Sequence, residues 1–164
     1  MTVFQLQKDL MEEIESVLSD IMLKKPKGGM STIKSYSQEL PKREQIVKPG
    51  SLMPEDDRDD PYPFCVVRME SGSIYPGKQG IRTVLVFGIF DDALENQGHQ
   101  ALLNVIHRVA ERFIMDPALK NRYQLNGKEG IGWILDDEER YPYYIGAMEM
   151  AWDAFFVERE DRYV

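Results

Sequence analysis

Cysteine and histidine are nearly absent from this chain of 164 residues, which has one cysteine and two histidines. A single cysteine excludes an intramolecular disulfide framework, and Cys65 lies in an apolar stretch, so we interpret it as a buried core residue. His99 and His107 lie about two turns apart on a predicted helix, too far for both to bind one metal ion. The sequence therefore predicts no histidine–cysteine metal centre.

Positive charge and long apolar runs are also scarce. The chain has 20 Lys and Arg against 28 Asp and Glu, a net charge of −8. A general nucleic-acid binder needs a basic face, so we expect no specific nucleic-acid partner, although DNA could slide past an acidic wall. No stretch approaches the roughly 20 apolar residues of a membrane span, and the N-terminus has no apolar signal core. We therefore expect no membrane association and a cytoplasmic protein, or a particle assembled there.

Recognisable catalytic motifs are missing as well. No glycine-rich phosphate loop follows a strand, no Gly-x-Ser-x-Gly elbow is present, and Cys65 has no obvious general base. We expect no catalytic residue, no cofactor and no bound metal, and hence no enzyme. One alternative stays open, a hydrolase that uses the acids Asp91, Asp92 and Glu95 at the end of a strand.

One phrase, an acidic run followed by Tyr-Pro-aromatic and a β-like stretch, occurs twice. The first copy is Asp59-Asp60-Pro61-Tyr62-Pro63-Phe64, and the second is Asp137-Glu138-Glu139-Arg140-Tyr141-Pro142-Tyr143-Tyr144. Proline fixes its own φ and favours an extended conformation in the residue before it. Each copy therefore predicts an exposed acidic loop that straightens into a buried strand. Tyrosines at the point where such a loop meets its strand either fill the end of the hydrophobic core or anchor an interface.

Hydrophobic periodicity indicates the elements of one domain over residues 1–164. Apolar stripes at helical spacing predict helices over 2–24 and 95–114, the second with Leu102, Val105, Ile106, Val109 and Phe113 on its buried face. Strands are predicted at 64–69, 81–90 and 144–159, with shorter strands at 123–126 and 132–135, a long hairpin loop at 70–80 and an edge strand or extended arm at 31–40. We predict an α+β fold in which two helices pack on one face of a mostly antiparallel sheet of four to five strands.

Residues 41–60 are the least globular stretch, with three prolines and a nearly unbroken acidic run. Segments of this composition and length predict a long mobile loop, and loops of this kind usually have a partner. We therefore predict that the partner-contact residues are the acids of this loop and the tyrosines of the two phrases: Glu55, Asp56, Asp57, Asp59, Asp60, Tyr62, Tyr141 and Tyr143.

The order and spacing of four motifs resemble a known class of proteins. The motifs are Asp60-Pro61-Tyr62-Pro63-Phe64-x-Val66-x-Arg68, the strand at 83–91, the helix start Gly98-His99-Gln100, and Tyr141-Pro142-Tyr143-Tyr144-Ile145-Gly146-x-Met148. Over residues 61–156 they resemble small structural proteins encoded in tailed-bacteriophage morphogenesis clusters. The predicted element order is also similar to that of tail-terminator and head–tail joining proteins.

The resemblance implies a phage or prophage virion structural protein that forms a ring, commonly hexameric, at the tail end or the head–tail junction. Its partners would be further copies of itself and tail-tube or head-connector proteins, and DNA would pass through the assembly. It would reside in the host cytoplasm during assembly and then in the virion. The alternative is a bacterial regulatory or immunity module that binds a single protein through the acidic loop.

Overall fold

The computed structural model describes residues 2–41 and 61–158, and most of the ordered elements there are strands. Two helices are present, α1 (Val3–Val17) and α2 (His99–Met115). In chain order the strands are β1 (Leu23–Lys24), β2 (Met30–Ser31), β3 (Lys34–Ser37), β4 (Phe64–Tyr75), β5 (Lys78–Phe90), β6 (Ala118–Leu119), β7 (Tyr123–Leu125), β8 (Ile131–Leu135) and β9 (Tyr143–Phe155).

The main sheet has seven strands in the order β3-β4-β5-β9-β7-β6, and β8 pairs with β9 beside this path. The sheet is mixed, because β3 runs parallel to β4 while the other pairs are antiparallel. Strands β1 and β2 form a separate two-stranded sheet. The predicted α+β fold with a mostly antiparallel sheet of four to five strands is therefore wrong, since the described chain is mostly β. Periodicity does not detect strands of two or three residues such as β1, β2 and β6.

Helix α1 is shorter than predicted. The Thr2 hydroxyl accepts a hydrogen bond from the Gln5 N–H, as an N-cap does, but the helix ends at Val17 instead of continuing to residue 24. Leu18, just beyond the helix, is fully buried, and Ile21 and Leu23 pack against the core. The apolar stripe thus continues past the helix because the following chain also faces the core.

The predicted hairpin loop at 70–80 is also wrong. Strand β4 runs to Tyr75 and β5 begins at Lys78, so only Pro76 and Gly77 connect them. Gly77 has φ 82°, and proline followed by a glycine with positive φ suits a type II turn. The glycines that indicated a loop, Gly72 and Gly80, lie inside the paired strands.

One core lies between the helices and the sheet. Leu6, Leu10 and Ile14 of α1 share a buried cluster with Val105 of α2 and with alternate residues of the central strands, among them Leu85, Phe87, Met148 and Trp152. We call this side of the sheet the helix face and the opposite side the outer face. The predicted buried face of α2 is confirmed, because all five of its predicted residues are buried. The strand predicted at 144–159 is present as β9, and its alternate residues Met148, Met150 and Trp152 are buried.

Candidate interaction surface

The two Tyr-Pro phrases meet at one end of the sheet. The ring centroids of Tyr62 and Tyr143 are 4.6 Å apart, Phe64 lies 4.9 Å from Tyr62, and Phe90 lies 5.6 Å from Tyr143. They meet because β4 and β9 flank β5, with Phe64 opposite Gly88 and Tyr143 opposite Phe90. Both Tyr–Pro peptide bonds are cis. We call these four rings the aromatic cluster.

The remaining tyrosines of the second phrase bind the loop between β5 and α2. The Tyr141 hydroxyl donates to the Asp92 carbonyl at 2.6 Å, and the Tyr144 hydroxyl forms a hydrogen bond with Asn96. The Tyr144 ring also covers Gly98, where an added Cβ would lie 2.3 Å from a ring carbon. Tyr62, Tyr141 and Tyr143 thus all make intramolecular contacts, and their contact with a partner stays a prediction.

The predicted acidic contacts fall outside the described residues. Glu55, Asp56, Asp57, Asp59 and Asp60 all lie between residues 42 and 60, as does nearly all of the loop predicted at 41–60. Their part in binding a partner stays a prediction from the sequence.

The acids of the hydrolase alternative are close to a lysine. Lys24 Nζ lies 3.2 Å from Asp91 Oδ1 and 3.4 Å from Asp92 Oδ1, and its hydrogen bond to Asp91 is the main reason that the pKa of Lys24 is raised. Among the residues that the structure describes, no group of three or more His, Cys, Asp or Glu side chains could hold a metal ion. Neither described helix is long and apolar enough to cross a membrane.

Strand β8 leaves one backbone edge open. The Asp136 N–H donates to the Ile145 carbonyl at 2.9 Å, which fixes the hydrogen-bonding phase of β8 against β9. In an antiparallel pair the backbone groups of alternate residues point towards the partner strand, so Ile131, Trp133 and Leu135 direct their N–H and C=O groups away from β9. No other described strand or side chain binds those outward groups. Trp133 is 57% exposed and Ile134 is 69% exposed. An edge strand without charge, proline or cover is a ready site for another strand.

A second open edge lies on the opposite side of the same sheet. The Gln38 side chain bonds both backbone groups of Met69, so Met69 faces outward, and the bulge between Met69 and Ser71 shifts the alternation by one residue. Gly72 and Ile74 therefore face outward, and β3 does not reach them, because it pairs with β4 only as far as Val67. The end of β4 is thus unpaired on this side.

Side chains close the rest of that second edge. The Glu15 carboxylate accepts hydrogen bonds from the Ser35 N–H at 2.8 Å and the Ser35 hydroxyl at 2.7 Å. Glu15 therefore covers the backbone edge of β3 that faces away from β4. Gln38 does the same for Met69. The contrast leaves two unpaired stretches of longer strands that another chain could join, in β8 and at the end of β4, besides the two-residue strand β6 at the end of the sheet.

An apolar groove lies next to the open end of β4. Its volume is about 230 Å³, and its walls are formed mainly by Val3, Met69, Ile74 and Ile81, with Gly72 and Gly80 between them. Ile74 is 64% exposed. The groove lies on the helix face, because Gly72 and Ile74 lie opposite the buried residues Ile81 and Gln79.

No family model matches the chain, and no curated protein matches it.

Neither Trp133 nor Ile74 was among the predicted contact residues. The signal in the sequence was a tryptophan in a short uncharged segment, Ile131-Gly132-Trp133-Ile134-Leu135, directly before an acidic run. That segment becomes informative only when the topology shows that it is an edge strand.

Proposed function

We propose that this chain is a phage or prophage virion structural protein that assembles as a ring of identical copies at the tail end or the head–tail junction. The proposal starts from the motifs that resemble tailed-phage morphogenesis proteins. The observation that carries it is the presence of two unlike open backbone edges, β8 and the end of β4, on opposite sides of one sheet.

Unlike edges at opposite sides suit an assembly of many copies. When the edge of one copy joins the other edge of the next, each addition leaves a free edge, and the series ends when a rotation closes it into a ring. Soluble proteins usually protect sheet edges, and this chain does so at Ser35 and Met69. Two edges left open in the same molecule therefore favour assembly over a monomeric role.

The charge of the chain fits this position in a particle. With a net charge of −8, a ring would repel passing DNA and attract basic surfaces of neighbouring proteins. The run Asp136-Asp137-Glu138-Glu139 is exposed, and among the described residues only Arg140 forms salt bridges with it, to Asp136 and Glu138. This run offers such a contact directly after the open edge of β8.

Two measurements test the proposal. Mass spectrometry of purified particles from the phage that carries this gene should find the chain in a small, constant copy number relative to the tail tube. Native mass spectrometry of particle-derived assemblies should give a multiple of the 19.0 kDa chain. Purified infectious particles that lack the chain would overturn the proposal.

A further inference from the structure

We propose that neighbouring copies join by antiparallel pairing of β8 in one copy with the end of β4 in the next, and that Trp133 occupies the groove beside Ile74. The inference rests on the proposed ring for its symmetry and names the surface through which the ring forms. The occupant of the groove is thus a second copy of this chain.

Strand directions within one copy support antiparallel pairing between copies. Strand β4 is antiparallel to β5, β5 to β9, and β9 to β8, so β8 runs opposite to β4. A ring axis inclined to the strands, as the axis of a β-barrel is, keeps β8 and β4 opposite in direction and allows the stagger of about four residues between Trp133, which lies level with Val67, and Gly72. The β8 strand of one copy therefore meets the β4 strand of the next in the antiparallel sense, which is the slightly more stable pairing per residue.

The outward backbone groups also agree in register. Ile131 and Trp133 alternate with the same spacing as Gly72 and Ile74, so an antiparallel pairing places Ile131 opposite Ile74 and Trp133 opposite Gly72 of the next copy. Each of these residues directs its N–H and C=O groups away from its own sheet. Opposed residues of this kind exchange two hydrogen bonds, so the register satisfies the outward backbone groups of Ile131 and Trp133 in one copy and of Gly72 and Ile74 in the next.

The side chains then fit on one face. Trp133 lies opposite Met148, and Gly72 lies opposite Ile81, and both of these partners are buried in the core on the helix face. The Trp133 ring would therefore cross Gly72, which has no side chain, and reach the apolar groove. A buried tryptophan removes roughly 150–250 Å² from water, so it is the dominant anchor of this contact.

Charge also favours this partner over pairing of β8 with itself. The pairing ends at Leu135, because Gln38 covers Met69 of the next copy, and Asp136 and Asp137 then leave β8 close to the exposed Arg68 of that copy, which forms no salt bridge with the described residues. A twofold pairing of β8 centred on Trp133 would instead bring Asp137 near Glu129 of the other copy, whose carboxylate already lies 2.6 Å from Arg82, so Asp137 would meet no unpaired cation there.

Disulfide cross-linking of the full chain tests the contact. Cys65 is fully buried and is the only cysteine, so an introduced thiol has no accessible competitor. We expect a mixture of Ile74→Cys and Ile131→Cys chains to give a cross-linked pair on mild oxidation, while Ile131→Cys alone gives little. A chain that carries both changes should give a ladder that ends at the ring number. Absence of the mixed pair under conditions in which the chain assembles, or efficient cross-linking of Ile131→Cys alone, would overturn the inference.

A substitution series separates this inference from the proposed function. Trp133→Ala should lower the fraction of assembled chains at least tenfold, whereas Leu94→Ser, at a site that is 94% exposed and away from both edges, should not. Circular dichroism should show that both variants are folded. If particles incorporate Trp133→Ala chains as efficiently as wild-type chains, the contact is overturned and the structural role in the particle stays intact. Mixed cross-linking of a chain that is absent from particles would support the contact and overturn the role.

Discussion

At the scale of single residues, Gly88 shows how closely the aromatic cluster packs on the sheet. An added Cβ at Gly88 would lie 2.3 Å from a Phe64 ring carbon and 2.8 Å from a Tyr62 ring carbon. We expect Gly88→Ala to lower the free energy of unfolding by about 2 kcal/mol, because the overpacked rings must move. Urea denaturation measures this change.

The source of the Gly88 effect has its own control. Phe64→Leu removes part of the ring that the new methyl group would meet, so the double variant should lose less stability than the two single changes added together. Additive losses would show that the rings do not limit residue 88.

Cys65 should contribute a loss of stability at alkaline pH. Burial raises the pKa of its thiol well above the ordinary value of 9.0, so the folded chain keeps the proton that the unfolded chain releases. Stability from this group is therefore present below about pH 9 and falls as the pH rises further, by about 1.4 kcal/mol per pH unit. Denaturation at about pH 8 and about pH 10 should show a smaller loss for Cys65→Ala than for wild type. An equal loss would contradict the assignment.

At the scale of elements, α2 is held by its apolar face. The Val105 side chain is fully buried in the core, so Val105→Asp would bury a charge with no partner. We expect a loss of about 4 kcal/mol or more, measured by thermal or urea unfolding. Asn104→Asp adds the same charge on the exposed side of the helix and should change stability by less than about 0.5 kcal/mol. Similar losses in both would mean that α2 does not pack through Val105.

The elements that the sequence predicted correctly are those with long, regular burial. The stripe of α2 and the alternation of β9 follow directly from one-sided packing against a core. The extent of β4 and β5 did not follow, because Gly72 and Gly80 indicate a turn in isolation, yet they lie in paired strands. The aromatic cluster needs the strand order that places β5 between the two phrases. The open edge at Trp133 likewise depends on which strands lack a neighbour, and a single sequence does not contain that information.

At the scale of the whole molecule, the acidic loop should matter for assembly more than for folding. Replacing Asp56, Asp57, Asp59 and Asp60 with Asn and Ser should leave the melting temperature nearly unchanged, since solvated charges contribute little to stability. The same variant should impair completion of particles if the loop contacts a partner. Complementation of a phage that lacks the gene, followed by electron microscopy, measures this effect. Fully joined, infectious particles would remove the loop from the mechanism.

The central claim is that this chain is a structural part of a phage particle. The most direct test is to delete the gene from the phage or prophage that carries it, and to examine the products by electron microscopy and infectivity. We expect heads and tails that fail to join, or tails of abnormal length, with normal particles restored by the wild-type gene supplied in trans. Normal, infectious particles after complete deletion would contradict the account.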